Sequence, residues 1–288
     1  MPAEVRTLPL LTGRRIPILG QGTWGMGESA AKRAGEIAAL RLGLDLGMTL
    51  IDTAEMYGEG GAEEVIGEAI AGRREEAFLV SKVYPHNATR QGAVEACERS
   101  LRRLGTDYLD VYLLHWRGAV PLAETLAAFQ ALRAAGKIRD CGVSNLDLDD
   151  LTEARDLPGG QAMVTNQVLY NLTHRGIEWD LLPWCQERGI VTMAYCPIDQ
   201  PTGHTGRRSP LLTHGVAQEA ARRHGATPAQ IALAWLLQRD VVAIPKASQP
   251  KHVRENRRAA ELRLAAEDLQ ELDEAFPPPR RKQPLAMR

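Results

Sequence analysis

Four cysteines occur in 288 residues, and none forms a C-x-x-C pair, so the chain lacks the spacing that zinc sites and dithiol redox centres use. Cys97, Cys141, Cys185 and Cys196 stand 44, 44 and 11 residues apart and read as reduced, mostly buried thiols. An excess of one charge is missing too: 35 Lys and Arg against 36 Asp and Glu leave a formal net charge of -1. Neither nucleic acid nor an anionic membrane surface has an electrostatic reason to bind such a chain. No run of 18 apolar residues occurs, which excludes a spanning helix. The opening MPAEVRTLPLLTGRR lacks the basic end, apolar stretch and small-residue cleavage site of a secretory leader. The seven histidines contain no H-x-H pair and no carboxylate cluster accompanies them, so no metal is expected. What remains is a cytoplasmic protein, expected to be a monomer, whose partner is a small molecule.

With 44% hydrophobic and 25% charged residues, the chain has ordinary globular stock and enough length for one barrel-sized domain spanning 1–288. After a hairpin (VRTLPL, a turn at Thr12 and Gly13, RRIPI), short apolar runs alternate with amphipathic stretches. The runs LGQGTW, MTLID, AFLVSK, LDVYLLH, IRDCGVS, MVTNQ, IVTMAY and VVAIP predict eight strands. Helices are predicted between or after them over 31–46, 62–71, 89–104, 121–135, 147–155, 179–187, 228–238 and 250–260, with extra helices over 212–224 and 266–275. Strand and helix in eightfold alternation define an α/β fold, a (β/α)8 barrel with an N-terminal hairpin and additional C-terminal helices. A longer loop covers 197–210, and the proline-rich end over 277–288 reads as irregular.

LGQGTWGMG, Leu19 to Gly27, spells G-x-G-x-x-G at Gly20, Gly22 and Gly25. A dinucleotide fingerprint needs a helix directly after it and an acid about 20 residues on. Here the acid that ends the next strand is Asp52, 32 residues after Gly20. The glycines therefore read as the end of a first barrel strand, where backbone and ligand approach closely.

Reacting groups in such barrels sit at the carboxyl ends of strands. MTLID ends in Asp52, AFLVSK in Lys82 and LDVYLLH in His115, and Tyr57 follows Asp52 by five residues. Each has an ordinary explanation: a helix cap, a solvated flank, a satisfied core histidine, a packing ring. On consecutive strands, however, a carboxylate, an ammonium, an imidazole and a phenol form a set suited to delivering a proton.

The runs IDTAEMYG, LVSK, YLLHW, GVSN, NQVLYN, MAYCP and IPKASQPKHVREN, in this order over nearly the whole chain, resemble the aldo-keto reductase superfamily, and within it the small bacterial reductases of aldehydes and 2-oxoaldehydes of the methylglyoxal reductase kind. The resemblance implies carbonyl reduction by NADPH, with NADH left open, on a barrel without a Rossmann fold. Tyr57 would donate the proton, Lys82 would lower the phenol's pKa, Asp52 would hold Lys82, and His115 would orient the carbonyl. Gly22, Thr23 and Trp24 would lie beside the nicotinamide together with Asp52. Ser144, Asn145 and Gln167 would bind its amide, and Tyr195 would stack on its ring. For Ser144 and Asn145 a helix cap before LDLDDL is the local alternative.

The loop from Pro197, with Gly203, Gly206, Arg207 and Arg208, would cover the pyrophosphate or else meet only solvent. Lys246 matches the 2'-phosphate contact, and Glu255 and Asn256 match residues at the adenine. Many members carry serine and arginine where this chain has Ala247 and His252; Ser248 and Arg254 are possible substitutes. Trp24, Met56, Tyr84, His115 and Trp116 would line the substrate pocket. A barrel that binds NADPH without turning it over, as a sensor or regulatory subunit, is the rival of another class, and a metal-dependent barrel hydrolase is the second.

Overall fold

Strands that are apolar on both faces are stable only in a parallel sheet covered by helices, and the chain meets that demand by closing its sheet on itself. The computed structural model describes residues 4–199 and 209–288; Gly203, Gly206, Arg207 and Arg208 lie outside the described residues. β1 (Thr7–Pro9) and β2 (Arg15–Pro17) form the antiparallel hairpin, with Leu8 opposite Ile16. β3 (Gly20–Gly22), β4 (Leu50–Asp52), β5 (Phe78–Val83), β6 (Leu109–Leu114), β7 (Ile138–Ser144), β8 (Met163–Leu169), β9 (Val191–Tyr195) and β10 (Val242–Ala243) follow one another in parallel. Closure comes where β10 returns to β3: the Ala243 N–H donates to the Ile18 carbonyl at 2.9 Å, and the Gly22 N–H to that of Pro245 at 3.1 Å.

That closure explains the glycine motif. A Cβ on Gly22 would sit 2.7 Å from the Ile244 carbonyl oxygen, and one on Gly20 would strike the Leu50 side chain. Both glycines thus allow the close approach of one barrel strand to another. Gly25, at φ +75° with open space around it, is a turn glycine.

The helices are α1 (Ala30–Asp45), α2 (Gly61–Ile70), α3 (Arg90–Leu104), α4 (Leu122–Ala134), α5 (Leu148–Asp156), α6 (Leu181–Glu187), α7 (Pro210–Thr213), α8 (Gly215–Arg223), α9 (Pro228–Leu237), α10 (Pro250–Ala259) and α11 (Ala266–Ala275). Caps set several starts: the Thr89, Asp147 and Thr227 side chains accept the backbone N–H groups of Gly92, Asp150 and Gln230. The single helix expected over 212–224 is instead two, α7 and α8, because His214 between them is extended at φ -69° and ψ 130°. Gly215 directly after it weakens any continuous helix there. α6 starts two residues later than predicted, after a 3-10 turn at Gly176–Glu178.

The hairpin plugs the amino end of the barrel. Arg14 pairs with Asp110 at 2.5 Å and Asp140 at 2.9 Å, near the starts of β6 and β7, and Arg74 reaches the other Asp110 oxygen at 3.0 Å. At the opposite end, residues 277–288 form no helix or strand, as expected. They are nevertheless docked: Lys282 lies 3.4 Å from Asp180, Arg288 lies 2.9 Å from Asp199, and Leu285 packs on the core. Cys97, Cys141 and Cys185 are buried free thiols, and Cys196 is half-buried. Among the described residues no helix is long and apolar enough to cross a membrane.

Candidate active site

The register of neighbouring strands decides which polar ends meet. Gly22 pairs with Asp52, and Lys82 lies two residues beyond Val80, the partner of Asp52. Asp52 and Lys82 therefore share the inner face at the carboxyl end, with relative exposures of 2% and 0%. A buried ammonium is stable only if its protons are spoken for. Lys82 Nζ donates to Asp52 Oδ1 at 2.9 Å, to Asp52 Oδ2 at 2.8 Å and to the Thr53 carbonyl at 2.7 Å, and lies 3.4 Å from the Tyr57 hydroxyl. Burial pulls the Lys82 pKa down, and Asp52 pushes it back up.

Tyr57 departs from expectation. Burial, and after it the Asp52 charge, raises its pKa well above the ordinary phenol value. The neighbouring ammonium does not offset the loss of water around the phenolate, so the resting phenol keeps its proton.

His115, one residue beyond β6 and 8% exposed, is lowered to about 2, by burial first and by the Lys82 charge second. It is neutral at any working pH. Its Nδ1 is buried without a partner, and a neutral imidazole keeps one ring nitrogen to donate and one to accept.

Rings surround this centre. Trp24 lies 5.0 Å from Tyr57, Tyr57 5.7 Å from His115, His115 4.8 Å from Trp116, and Trp116 4.9 Å from Tyr84. Trp24 is 58% exposed, and Met56, beside Tyr57, is half-buried. His86 extends the row, 4.3 Å from Tyr84; sequence reasoning passed over it, although it follows Tyr84 by only two residues. Glu55 was missed as well. Its Oε1 accepts the Tyr84 N–H at 2.7 Å and Asn87 Nδ2 at 3.0 Å, stapling the Tyr57 loop to the loop beyond Lys82. An acid three residues after Asp52 was the available signal.

The opposite wall comes from β7, β8 and β9. Ser144 Oγ donates to the Gln167 carbonyl at 2.8 Å, Asn145 Nδ2 to the His115 carbonyl at 3.1 Å, and the Tyr195 hydroxyl to Asn145 Oδ1 at 2.9 Å. Asp147 caps α5, so the cap alternative for Ser144 and Asn145 is wrong. Asn145 holds φ +56°, and Glu59, Cys196 and Asp199, beyond carboxyl ends of barrel strands, also have positive φ, as does Asp240 ahead of β10. Left-handed backbone in residues other than glycine is strained, and such strain clusters at functional sites. Gln167 Nε2 reaches across the barrel to Asp52 Oδ1 at 2.7 Å, and Thr23 Oγ1 donates to the Asp52 carbonyl at 2.9 Å. Pro197 is buried just past β9.

Lys246 pairs with Gly22 beside the end of β3 and is exposed, its Nζ 3.5 Å from Ser248 Oγ. Arg254 is exposed on α10. Glu255 is engaged within the same helix, by His252 at 2.9 Å and Lys251 at 3.9 Å, while Asn256 is buried.

A model of the Aldo/keto reductase family matches residues 18–276. The chain belongs to the aldo/keto reductase family. It is 54% identical over 274 residues to the methylglyoxal reductase YeaE of Escherichia coli (strain K12), covering 94% of this chain and 95% of that one. Two crystal structures of aldo-keto reductases from Klebsiella pneumoniae, each 50% identical, cover 99% of this chain and 100% of their own. The one in complex with NADPH superposes with a TM-score of 0.94, and the one with NADP and acetate with 0.93. Within this aldo/keto reductase, the buried Asp52, Lys82 and Tyr57 chain and the neutral His115 meet at the carboxyl end of the barrel, where the fold places its chemistry.

Proposed function

We propose that this chain reduces aldehydes and ketones to alcohols with NADPH, taking small aldehydes and 2-oxoaldehydes such as methylglyoxal, with Tyr57 as proton donor. The observation that carries it is the Lys82 ammonium, wholly buried and directed at once to Asp52 and to the Tyr57 hydroxyl. Stability alone offers no reason to keep a charge there, because an apolar residue would fill the space at lower cost.

The wall residues fit a nicotinamide: Ser144, Asn145 and Gln167 offer amide and hydroxyl groups, and Tyr195 a flat ring beside them. Exposed Lys246 and Arg254, with Ser248 and His252, fit a 2'-phosphate. A bound reduced nicotinamide supplies the hydride. The chain's own residues manage the oxygen. The neutral His115 donates from Nε2 to the carbonyl oxygen and fixes its direction. As negative charge grows there, Tyr57 gives up its proton to the developing alkoxide, a stronger base than an ordinary phenolate. Lys82 stabilises the phenolate left behind, and Asp52 keeps Lys82 charged. Trp24, Tyr84 and Trp116 exclude water and provide apolar walls.

The same proposal takes the protein as a cytoplasmic monomer, which light scattering would check. The function itself is tested by a panel of aldehydes, ketones and 2-oxoaldehydes with NADPH and NADH. NADPH oxidation dependent on the carbonyl is the expected result. Tight NADPH binding without turnover of any carbonyl would instead establish a sensor.

A further inference from the structure

We propose that Gln167 is a positioning residue for proton donation: it fixes Asp52 in the two-oxygen grip on Lys82 that aims the ammonium at Tyr57. This rests on the reductase function proposed above. Gln167 sits on β8, four strands round the barrel from β4, and is 2% exposed. Its Nε2 lies 2.7 Å from Asp52 Oδ1. A carboxylate has no proton to give, so the nitrogen end of the amide must face it.

Three groups from three strand ends therefore fix Asp52. Thr23 Oγ1, just past β3, holds its carbonyl at 2.9 Å, Lys82 on β5 takes both carboxylate oxygens at 2.9 and 2.8 Å, and Gln167 takes Oδ1 from across the barrel. The backbone from which Gln167 projects is fixed, because its main-chain carbonyl accepts Ser144 Oγ at 2.8 Å and the Asn145 N–H at 2.9 Å. Without the amide, the carboxylate can rotate until a single oxygen meets Lys82. The ammonium then loses part of the interaction that opposes its burial, and Tyr57 loses a directed partner. The other titratable groups around Lys82 are Tyr57, His115, which is neutral, and Glu63, which is paired with Arg103 at 2.6 Å. None of these replaces a donor on Asp52.

The test compares Gln167→Met, which keeps length and loses the N–H, with Gln167→Glu, which donates only while protonated, each made alone and on an Asp52→Asn background. Single-turnover carbonyl reduction at saturating NADPH is followed against pH, with NADPH Kd from fluorescence and thermal unfolding of the cofactor-free protein. For Gln167→Met the rate at the plateau is expected to fall about tenfold, and the alkaline limb to move to lower pH by about one unit. On the Asp52→Asn background the same substitution should change neither, since residues acting as one unit are not additive. Gln167→Glu should regain rate as pH falls, and it serves if the Met variant does not fold. Weaker NADPH binding with an unchanged plateau and limb would reduce Gln167 to a cofactor contact and overturn the proposal. So would an equal loss on both backgrounds. Wild-type protein that reduces no carbonyl would instead fail the proposed function itself, before any variant is compared.

Discussion

Lys82 sits under opposed demands. Burial pulls its pKa below the ordinary value, and Asp52, with two oxygens within 2.9 Å, opposes that shift. Tyr57 is the group that this arrangement serves, and its hydroxyl is separable from its ring. Tyr57→Phe keeps the packing against Trp24 and should leave NADPH affinity unchanged, while kcat falls about 10²–10⁴-fold, the usual worth of a positioned acid. Steady-state reduction beside fluorescence titration would check both halves. On the exposed segment ahead of α10, Lys246→Ala should weaken NADPH roughly tenfold or more and leave NADH nearly unaffected, because a charged hydrogen bond contributes about 1.5–3 kcal/mol. Titration of both cofactors measures it. Equal weakening of the two would shift the role to His252 or Arg254. Asp52, Lys82 and His115 were readable because a polar group closing an apolar run is conspicuous in one dimension, and Tyr57 because it follows Asp52 by only five residues. The direction of the Tyr57 pKa was not, because it depends on how much water the folded barrel leaves around the hydroxyl.

Among the elements, the hairpin and the barrel strands have separate tasks. Arg14 fastens the hairpin to Asp110 and Asp140, both buried, and Asp110 keeps Arg74 as a second partner. Arg14→Ala would leave Asp140 without its cation, which in a fully buried pair costs about 3–5 kcal/mol. Arg14 is 35% exposed, so water replaces part of the loss, and about 2 kcal/mol is expected. A lower urea midpoint with unchanged kcat is the anticipated result, since the hairpin closes the end opposite the reacting groups. A fall in kcat at equal stability would contradict that separation. Helix ends show how local signals succeed and fail. Thr227 with Gln230 is a capping box visible in the sequence, whereas Ser144 and Asn145 imitate a cap, and only the three-dimensional path gives that role to Asp147. The break between α7 and α8 falls at His214, a residue with no strong preference of its own; the glycine that follows was the weak signal.

For the molecule as a whole, His115 links the site to acid stability. Its pKa is about 2 when folded and about 6.5 when unfolded. Between these values the unfolded chain binds a proton that the native protein excludes. Stability should therefore fall as pH drops below about 6.5, by about 1.4 kcal/mol per unit from this residue, and be unaffected by it at higher pH. Urea unfolding between about pH 5 and 8 on wild type and His115→Asn would show a shallower pH dependence for the variant. Parallel curves would mean that His115 is charged in the native state.

The barrel follows from local pattern alone. Alternation of apolar run and amphipathic stretch is written in local periodicity, and periods of two and 3.6 residues survive without knowledge of partners. The sequence also shows which side chains stand at the carboxyl ends, since a strand's last residue is a matter of order along the chain. Which residues become partners depends on the folded path of the chain. Gln167 meets Asp52 across 115 residues of sequence, Gly22 meets Ile244 where the sheet closes, and Arg288 lands on Asp199. Each of these contacts depends on barrel closure and strand register, which place remote residues within hydrogen-bond reach by rotation about an axis that no local pattern encodes.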